Sequence, residues 1–200
     1  MAKSDSGQGS NMGQSAQENI LVVGPSWVGD MVMAQSLFIC LKQQNPDCRI
    51  AVMAPDWTLP LLHRMPEVDT SIPAELGHGE LRLGLRRTIG KRLRGKFDRA
   101  IVLPNSFKSA LIPLHAGIPQ RTGWRGEWRQ LLLNDCRVLD KEAFPLMVQR
   151  FAALAYPPAQ VPPEQIPAVQ APSDHVQDAP SAGSLTHSPA ALQTAFVHGI

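Results

Sequence analysis

The chain has 200 residues, 44% of them hydrophobic, enough for one domain with a full core. No run reaches the roughly 18 apolar residues that a bilayer-spanning helix needs, and the polar first 17 residues have no apolar stretch of the secretory kind. Three scattered cysteines, Cys40, Cys48 and Cys136, form no CxxC pair and show no metal-ligand spacing, so the expectation is a reduced, cytoplasmic chain.

The net charge of +2 is unevenly spread. From Glu18 to Tyr156 there are 18 Lys+Arg against 13 Asp+Glu, a net of +5; from Pro157 onward three acids and no Lys or Arg give −3. A basic folded part points to an anionic partner, whether phosphate, carboxylate, nucleic acid or membrane surface.

In chain order, Met1 to Gln17 is rich in Ser, Gly and Gln and reads as a disordered tail. NILVVG, Asn19 to Gly24, is a short run of β-branched residues ending in Gly, the pattern of a buried parallel strand. Asp30 to Gln44 reads as a helix with Met31, Ala34, Leu37, Phe38 and Leu41 on one face, stopped by Asn45-Pro46-Asp47. Arg49 to Ala54 is a second strand, Trp57 to Met65 a short helix, and Val68 to Ile72 a weaker strand. Glu80 to Lys96 is helical, with Leu81, Leu85, Ile89, Leu93 and Phe97 as its apolar stripe and Arg82, Arg86, Arg87, Lys91, Arg92 and Arg94 on the remaining surface.

Asp98 to Pro104 is a clear strand. Ser106 to Ala116 is a helix with Ser106 as N-cap, Gln120 to Trp124 a strand, and Lys141 to Tyr156 a helix. Strands alternating with helices predict an α/β domain over residues 18–156, doubly wound with a mainly parallel sheet, Rossmann-like. Its ligand crevice should lie at the carboxyl ends of the strands. Residues 157–200 hold eight of the 18 prolines, with much Ala, Ser and Gln, and read as a disordered linker.

The loop after the first strand is GPSWVGD, Gly24 to Asp30. Pro25 and Ser26 replace the GxG turn of a dinucleotide-binding loop, which disfavours a pyrophosphate cradle. Gly29 lets another group approach the backbone. Asp30 is either the N-cap or the first helical residue. It serves either as a cap, worth roughly 1 kcal/mol, or as a general base whose ionised form the helix dipole favours. Trp27 is either a stacking surface for a sugar or a staple onto the first helix.

These residues carry a resemblance. GPSWVGDMVMAQSL, MAPDWTLPLLHRMPEV, DRAIVLPNSFKSALIPLHAGIPQRTGWRGEWR and LLNDCRVLDKEAFPLMVQRFAALAY resemble the ADP-heptose:lipopolysaccharide heptosyltransferases of type II over essentially all of residues 19–156. PNSFKSAL and RTGWRGE are long and specific. The resemblance implies the N-terminal domain of a GT-B glycosyltransferase, which binds the lipopolysaccharide inner core (heptosyl-Kdo-lipid A) as acceptor. It implies inverting transfer of L-glycero-D-manno-heptose from ADP-heptose without metal or other cofactor, and no nucleic-acid partner. The Asp of the family's first-loop Gly-Asp pair, its proposed base, falls on Asp30. The family also has a second, donor-binding domain of similar size. The sequence stops at Ile200, within what resembles the interdomain linker, so the expectation is a truncated product or a donor half on another chain.

Two further groups bear on this reading. Asn105, Ser106 and Lys108 follow the fourth strand; Lys108 either pairs with an acceptor phosphate or carboxylate or is a solvated lysine. Arg121, Trp124, Arg125 and Arg129, with Gly123 and Gly126 between them, form either a basic-aromatic site for Kdo carboxylates and core phosphates or a surface loop with one buried Trp. His78, between two glycines, is a ligand contact or a solvent-exposed loop residue. The basic helix is either a peripheral contact with the anionic inner membrane or a solvated face. The alternative function is a non-catalytic acceptor-binding half. A dinucleotide oxidoreductase ranks third, since Asp56 is displaced from the end of the second strand.

Overall fold

The computed structural model describes residues 17–74 and 81–158. Within them six strands form one sheet: β1 (Asn19–Val23), β2 (Arg49–Ala54), β3 (Thr70–Pro73), β4 (Arg99–Val102), β5 (Gln120–Trp124) and β6 (Asp135–Arg137). Their order is β3-β2-β1-β4-β5-β6, and every neighbouring pair is parallel. The chain winds outward from β1, returns to β4 on the other side of β1, and winds outward again. That reversal is the switch point of a doubly wound sheet, in agreement with the expected α/β class. Val23 pairs with Met53 on one side and Val102 on the other, so three strand ends lie level beneath the loops that follow them.

Both faces are covered, which is why the central strands are apolar throughout rather than alternating. Ile20, Val22, Ile50 and Val52 point to one face. There they meet Met31, Leu37 and Phe38 of α1 (Val28–Gln44) and Phe151 of α5 (Met147–Ala152). Leu21, Met53 and Ala100 point to the other, onto Ile89 and Leu93 of α3 (Leu83–Leu93) and Ile112 of α4 (Leu111–His115). A single helical turn, α2 (Leu59–Leu62), links β2 to β3. A Cβ at Gly90 would lie 2.5 Å from the His115 Cβ, so α3 and α4 touch almost backbone to backbone.

Several element bounds differ from expectation. The first helix begins at Val28 rather than Asp30, with Trp27 as an N-cap that makes no side-chain cap bond, so Asp30 is its third residue. The helix expected over 106–116 is a 3₁₀ turn, Phe107–Ala110, followed by α4, and the Ser106 hydroxyl does not cap it. The last helix is only Met147–Ala152. Pro145 disfavours helical backbone at Phe144, and the residues before it form a turn whose Glu142 and Ala143 N–H groups donate to the Asp140 carboxylate at 2.9 and 3.1 Å. The helix after β2 is a 3₁₀ turn, Asp56–Thr58, plus α2, and β3 runs Thr70–Pro73 rather than 68–72. β6, three residues at the sheet edge, has no counterpart among the expected strands.

The basic helix starts at Leu83, after Arg82 at φ 32°. Arg86 is not on its surface: it is buried, donating from Nε to the Leu81 carbonyl at 2.7 Å and from Nη1 to the Lys108 carbonyl at 3.0 Å. Leu81, expected in the apolar stripe, is exposed. His78, its two flanking glycines and Glu80 lie outside the described residues. So do the N-terminal tail up to residue 16 and the expected linker from residue 159.

Candidate functional site

A crevice of about 500 Å³ opens at the carboxyl ends of β1, β2 and β4. The β1 loop supplies Pro25, Ser26, Trp27 and Asp30 to it, and the β2 loop Pro55 and Trp57. The β4 loop supplies Asn105, Ser106 and Lys108. Trp124 from the end of β5 and Arg150 from α5 close the far wall. The walls thus combine indole rings, one carboxylate and several cations, the mixture expected of a small-molecule site rather than a dry packing defect.

The β1 loop is anchored at both ends. The Gly24 N–H donates to the Met53 carbonyl at 2.8 Å, and Met31 N–H donates to the Trp27 carbonyl at 3.0 Å as the first turn of α1 closes. A Cβ on Gly24 would lie 3.3 Å from the Met53 carbonyl oxygen, so the loop hugs β2. Asp30 is half-buried in that first turn of α1, beside the helix N–H groups that have no intrahelical acceptor. Among the described residues, no hydrogen bond or ion pair takes up its carboxylate. Trp27 is 70% exposed. Gly29 does not line the crevice, and a Cβ there would meet nothing within 4 Å, so protein packing does not require a glycine.

The β4 loop is stitched to the loop after β5. Arg129 donates from Nη1 to Asn105 Oδ1 at 3.2 Å and from Nη2 to the Val102 carbonyl at 3.0 Å. The Glu127 carboxylate accepts the Phe107 N–H at 3.2 Å. A Cβ on Gly126 would lie 2.5 Å from the Asn105 carbonyl oxygen. Asn105, Ser106 and Lys108 are therefore presented by a wall that two loops build together. A second, more open depression adjoins the crevice, sharing Asn105, Ser106 and Trp124 and adding Arg125 and Lys141.

The basic-aromatic group divides. Trp124 is 7% exposed, with its Nε1 donating to the Arg150 carbonyl at 3.0 Å, so it forms a wall. Arg125 is exposed in the adjoining depression. Arg121 is not brought to the crevice: near the amino end of β5, its Nε donates to the Leu132 carbonyl at 2.8 Å and its Nη1 to the Ile118 carbonyl at 2.6 Å. Arg129 is fully buried, and burial pushes its pKa down to about 10. Gly123, expected in an exposed loop, is buried in β5, where a Cβ would lie 2.7 Å from Arg129 Nη2.

Two crevice residues were not candidates from sequence. Trp57, 58% exposed, donates from Nε1 to the Ser26 carbonyl at 2.9 Å. Its signal was available: like Trp27, it stands in the loop just after a strand. Arg150 donates from Nε to the Phe144 carbonyl at 2.8 Å and from Nη2 to the Pro145 carbonyl at 3.0 Å, which holds the turn before α5. No helix among the described residues is long and apolar enough to cross a membrane, and no group of three or more His, Cys, Asp or Glu among them is placed to hold a metal ion.

Known proteins share this fold. The profile of Glycosyltransferase family 9 (heptosyltransferase) matches residues 86–194. Lipopolysaccharide heptosyltransferase 2 of Escherichia coli K12 is 66% identical over 138 residues, covering 68% of this chain and 40% of that protein. Lipooligosaccharide heptosyltransferase 2 of Haemophilus ducreyi is 59% identical over 142 residues, 71% of this chain and 40% of its own. The solved structure of the E. coli ADP-heptose lipopolysaccharide heptosyltransferase II superposes with a TM-score of 0.64 at 63% identity, covering 69% of this chain and 40% of that one. The chain thus spans about 40% of the length of these relatives. With half of its residues matched by the family profile and its crevice loops set in the family's sheet, the chain belongs to glycosyltransferase family 9, the heptosyltransferases.

Proposed function

We propose that residues 18–156 are the acceptor-binding domain of a lipopolysaccharide heptosyltransferase, and that Asp30 is its general base. The acceptor is the inner core of the lipopolysaccharide, heptosyl-Kdo-lipid A, and the donor is ADP-heptose. An acceptor hydroxyl attacks the anomeric carbon, the bond from that carbon to the ADP oxygen breaks, and the hydroxyl proton passes to Asp30. Attack opposite the leaving ADP inverts the anomeric centre. ADP departs as the anion, and no metal takes part in the step.

The observation that carries this reading is the half-buried Asp30 carboxylate, unpartnered among the described residues, lining a crevice of about 500 Å³ between two indoles and Lys108. A base must reach its proton through a short hydrogen bond, and a carboxylate held by no internal donor is free to make one. Lys108 in the crevice and Arg125 in the adjoining depression supply charge for the carboxylates and phosphates of the acceptor. The lipid acceptor places the work at the cytoplasmic face of the inner membrane, with the basic side of α3 as a peripheral contact.

The relatives are longer, and that favours a second reading: this domain binds the acceptor, and transfer needs the remainder of such an enzyme. One pair of measurements separates the readings. The first is calorimetric titration of the 200-residue chain with deacylated heptosyl-Kdo acceptor. The second is transfer by a chimera in which residues 18–156 replace their counterpart in the E. coli relative. Binding with active transfer, and transfer reduced at least about 100-fold by Asp30→Asn with KM little changed, supports Asp30 as base. Full turnover of the Asn variant refutes it. Binding by a chimera that never transfers leaves the acceptor-binding reading alone standing.

A further inference from the structure

Trp57 sits in the crevice with an unusual division of its side chain. Its N–H is satisfied by the Ser26 carbonyl at 2.9 Å, yet its ring is 58% exposed and lines the same space as Trp27 and Asp30. Leaving an indole in water forgoes about 25 cal/mol for each Å² of apolar surface that burial would remove. Trp57 does not escape that cost by packing against the core. Its hydrogen bond spans 31 residues of sequence and ties the β2 loop to the β1 loop four residues before Asp30. The ring is therefore held before any ligand arrives, so little rotamer freedom remains to be lost on binding.

A flat apolar face fixed beside a carboxylate suits a ligand with an apolar face and polar edges. The C–H face of a pyranose has that character, and its hydroxyls project from the edge. We propose that Trp57 both contacts and positions. Its ring takes the C–H face of the acceptor sugar whose hydroxyl meets Asp30, and its N–H holds the Ser26 carbonyl so that the Gly24–Asp30 loop keeps Asp30 at the crevice mouth. The proposal rests on the acceptor reading of the crevice.

Two substitutions separate the roles. Trp57→Leu removes ring and donor; Trp57→Phe keeps an aromatic face and removes only the N–H. Each is titrated with deacylated heptosyl-Kdo acceptor in the 200-residue chain, and each is assayed for transfer in the chimera with the E. coli relative. The Leu variant is expected to bind about 3–10-fold more weakly, the effect of one lost aromatic contact. The Phe variant is expected to bind within about twofold of the parent while its kcat falls about 3–10-fold, the effect of one lost hydrogen bond felt at the base. A residue that only stabilised the fold would lower the melting temperature without this division between KM and kcat. If the Leu variant does not fold, acrylamide quenching decides the contact: bound acceptor protects the parent's indole fluorescence, and that protection is smaller in Trp57→Phe. Unchanged affinity in Leu, or equal protection in Phe, overturns the contact; unchanged kcat in Phe overturns the positioning role. Failure of the unsubstituted chain to bind the acceptor overturns the acceptor reading itself, and this proposal with it.

Discussion

Arg129 tests how the crevice wall is built. Its guanidinium is fully buried, makes hydrogen bonds to Asn105 Oδ1 and the Val102 carbonyl, and leaves Nε without a partner. Arg129→Met keeps most of the stem volume and removes the charge. Each hydrogen bond from a charged donor is worth about 1.5–3 kcal/mol, and both acceptors would lose their donor. Against that stands the cost of holding a cation in the interior. Burial takes the pKa from 12.5 to about 10, the nearby Cys136 and Glu127 only partly opposing it, and the difference corresponds to roughly 3 kcal/mol. Two such bonds total about 3–6 kcal/mol, so they win by up to about 3 kcal/mol with a midpoint of about 1.5, a loss of roughly 3–6 °C in Tm for a domain of this size. Differential scanning calorimetry near neutral pH measures it directly. A double-mutant cycle adds a sharper check. Gly123→Ala puts a Cβ 2.7 Å from Arg129 Nη2 and 2.9 Å from the Val102 oxygen, an overpacking cost of about 1–3 kcal/mol. In the double variant the arginine no longer occupies that slot, so the two losses should be less than additive. A Tm unchanged or raised in Arg129→Met, or strict additivity with Gly123→Ala, refutes this account of the wall.

Two further outcomes follow from ionisable groups outside the crevice. Desolvation raises the Asp135 pKa, but its bonds to Arg137 and to the Thr122 hydroxyl (2.7 and 2.9 Å) outweigh that and leave it below its ordinary 3.8. A carboxyl lowered on folding adds stability that is present above the unfolded value and lost as pH falls below about 3.8, so Asp135→Asn should flatten the acid limb of a Tm-against-pH curve; an unchanged slope sinks that assignment. Tyr156 is the single tyrosine of the chain. Burial, then its contact with the Cys40 thiol, push its pKa up to about 12 from 10, so stability from this group is whole below pH 10 and lost as pH rises through 12. Absorbance at the tyrosinate band should titrate near 12 in the native chain and near 10 in denaturant; a native midpoint near 10 contradicts the half-buried placement beside Cys40.

The sheet was legible because burial on both faces leaves a plain signal. The apolar run Arg49 to Ala54 matches β2 and the stretch Gln120 to Trp124 matches β5, while the first strand ends at Val23, one residue before the expected Gly24. The helix starts were less legible for a physical reason. The first helix is capped by Trp27, whose side chain bonds to nothing at the cap, while Ser106, which has the right chemistry for a cap, does not use it. Side-chain type announces a cap only when the cap is made with that side chain. β6 carries Asp-Cys-Arg: Asp135 accepts the Thr122 hydroxyl of β5 and pairs with Arg137 on its own strand, a pattern with no apolar period to read. In the site, the loop at Gly24 to Asp30 was legible because it follows the first strand, and Trp57 was missed although it follows the second.

The arginines show where local reading must fail. Between residues 121 and 137 the chain is rich in guanidinium groups, and charge alone suggests a single anion-binding surface. The structure divides them by what they touch. Arg121 holds the backbone carbonyls of Ile118 and Leu132, Arg129 the side-chain Oδ1 of Asn105 and the carbonyl of Val102, and Arg137 the carbonyls of Ala153 and Tyr156. Each spans two segments distant in sequence, as a planar fork of five donors does well and a lysine ammonium does poorly. What makes room for one of them is a missing side chain, Gly123, on a strand that no count of charges would consult. Three of the four arginines in this stretch are thus structural cement, and the cations left exposed at the crevice are few: Lys108 in it, Arg125 and Lys141 beside it. Such an economy suits the role proposed for the crevice, a sugar hydroxyl held against one carboxylate. Fixed walls set the geometry, and a small number of exposed charges sets the sign of what enters.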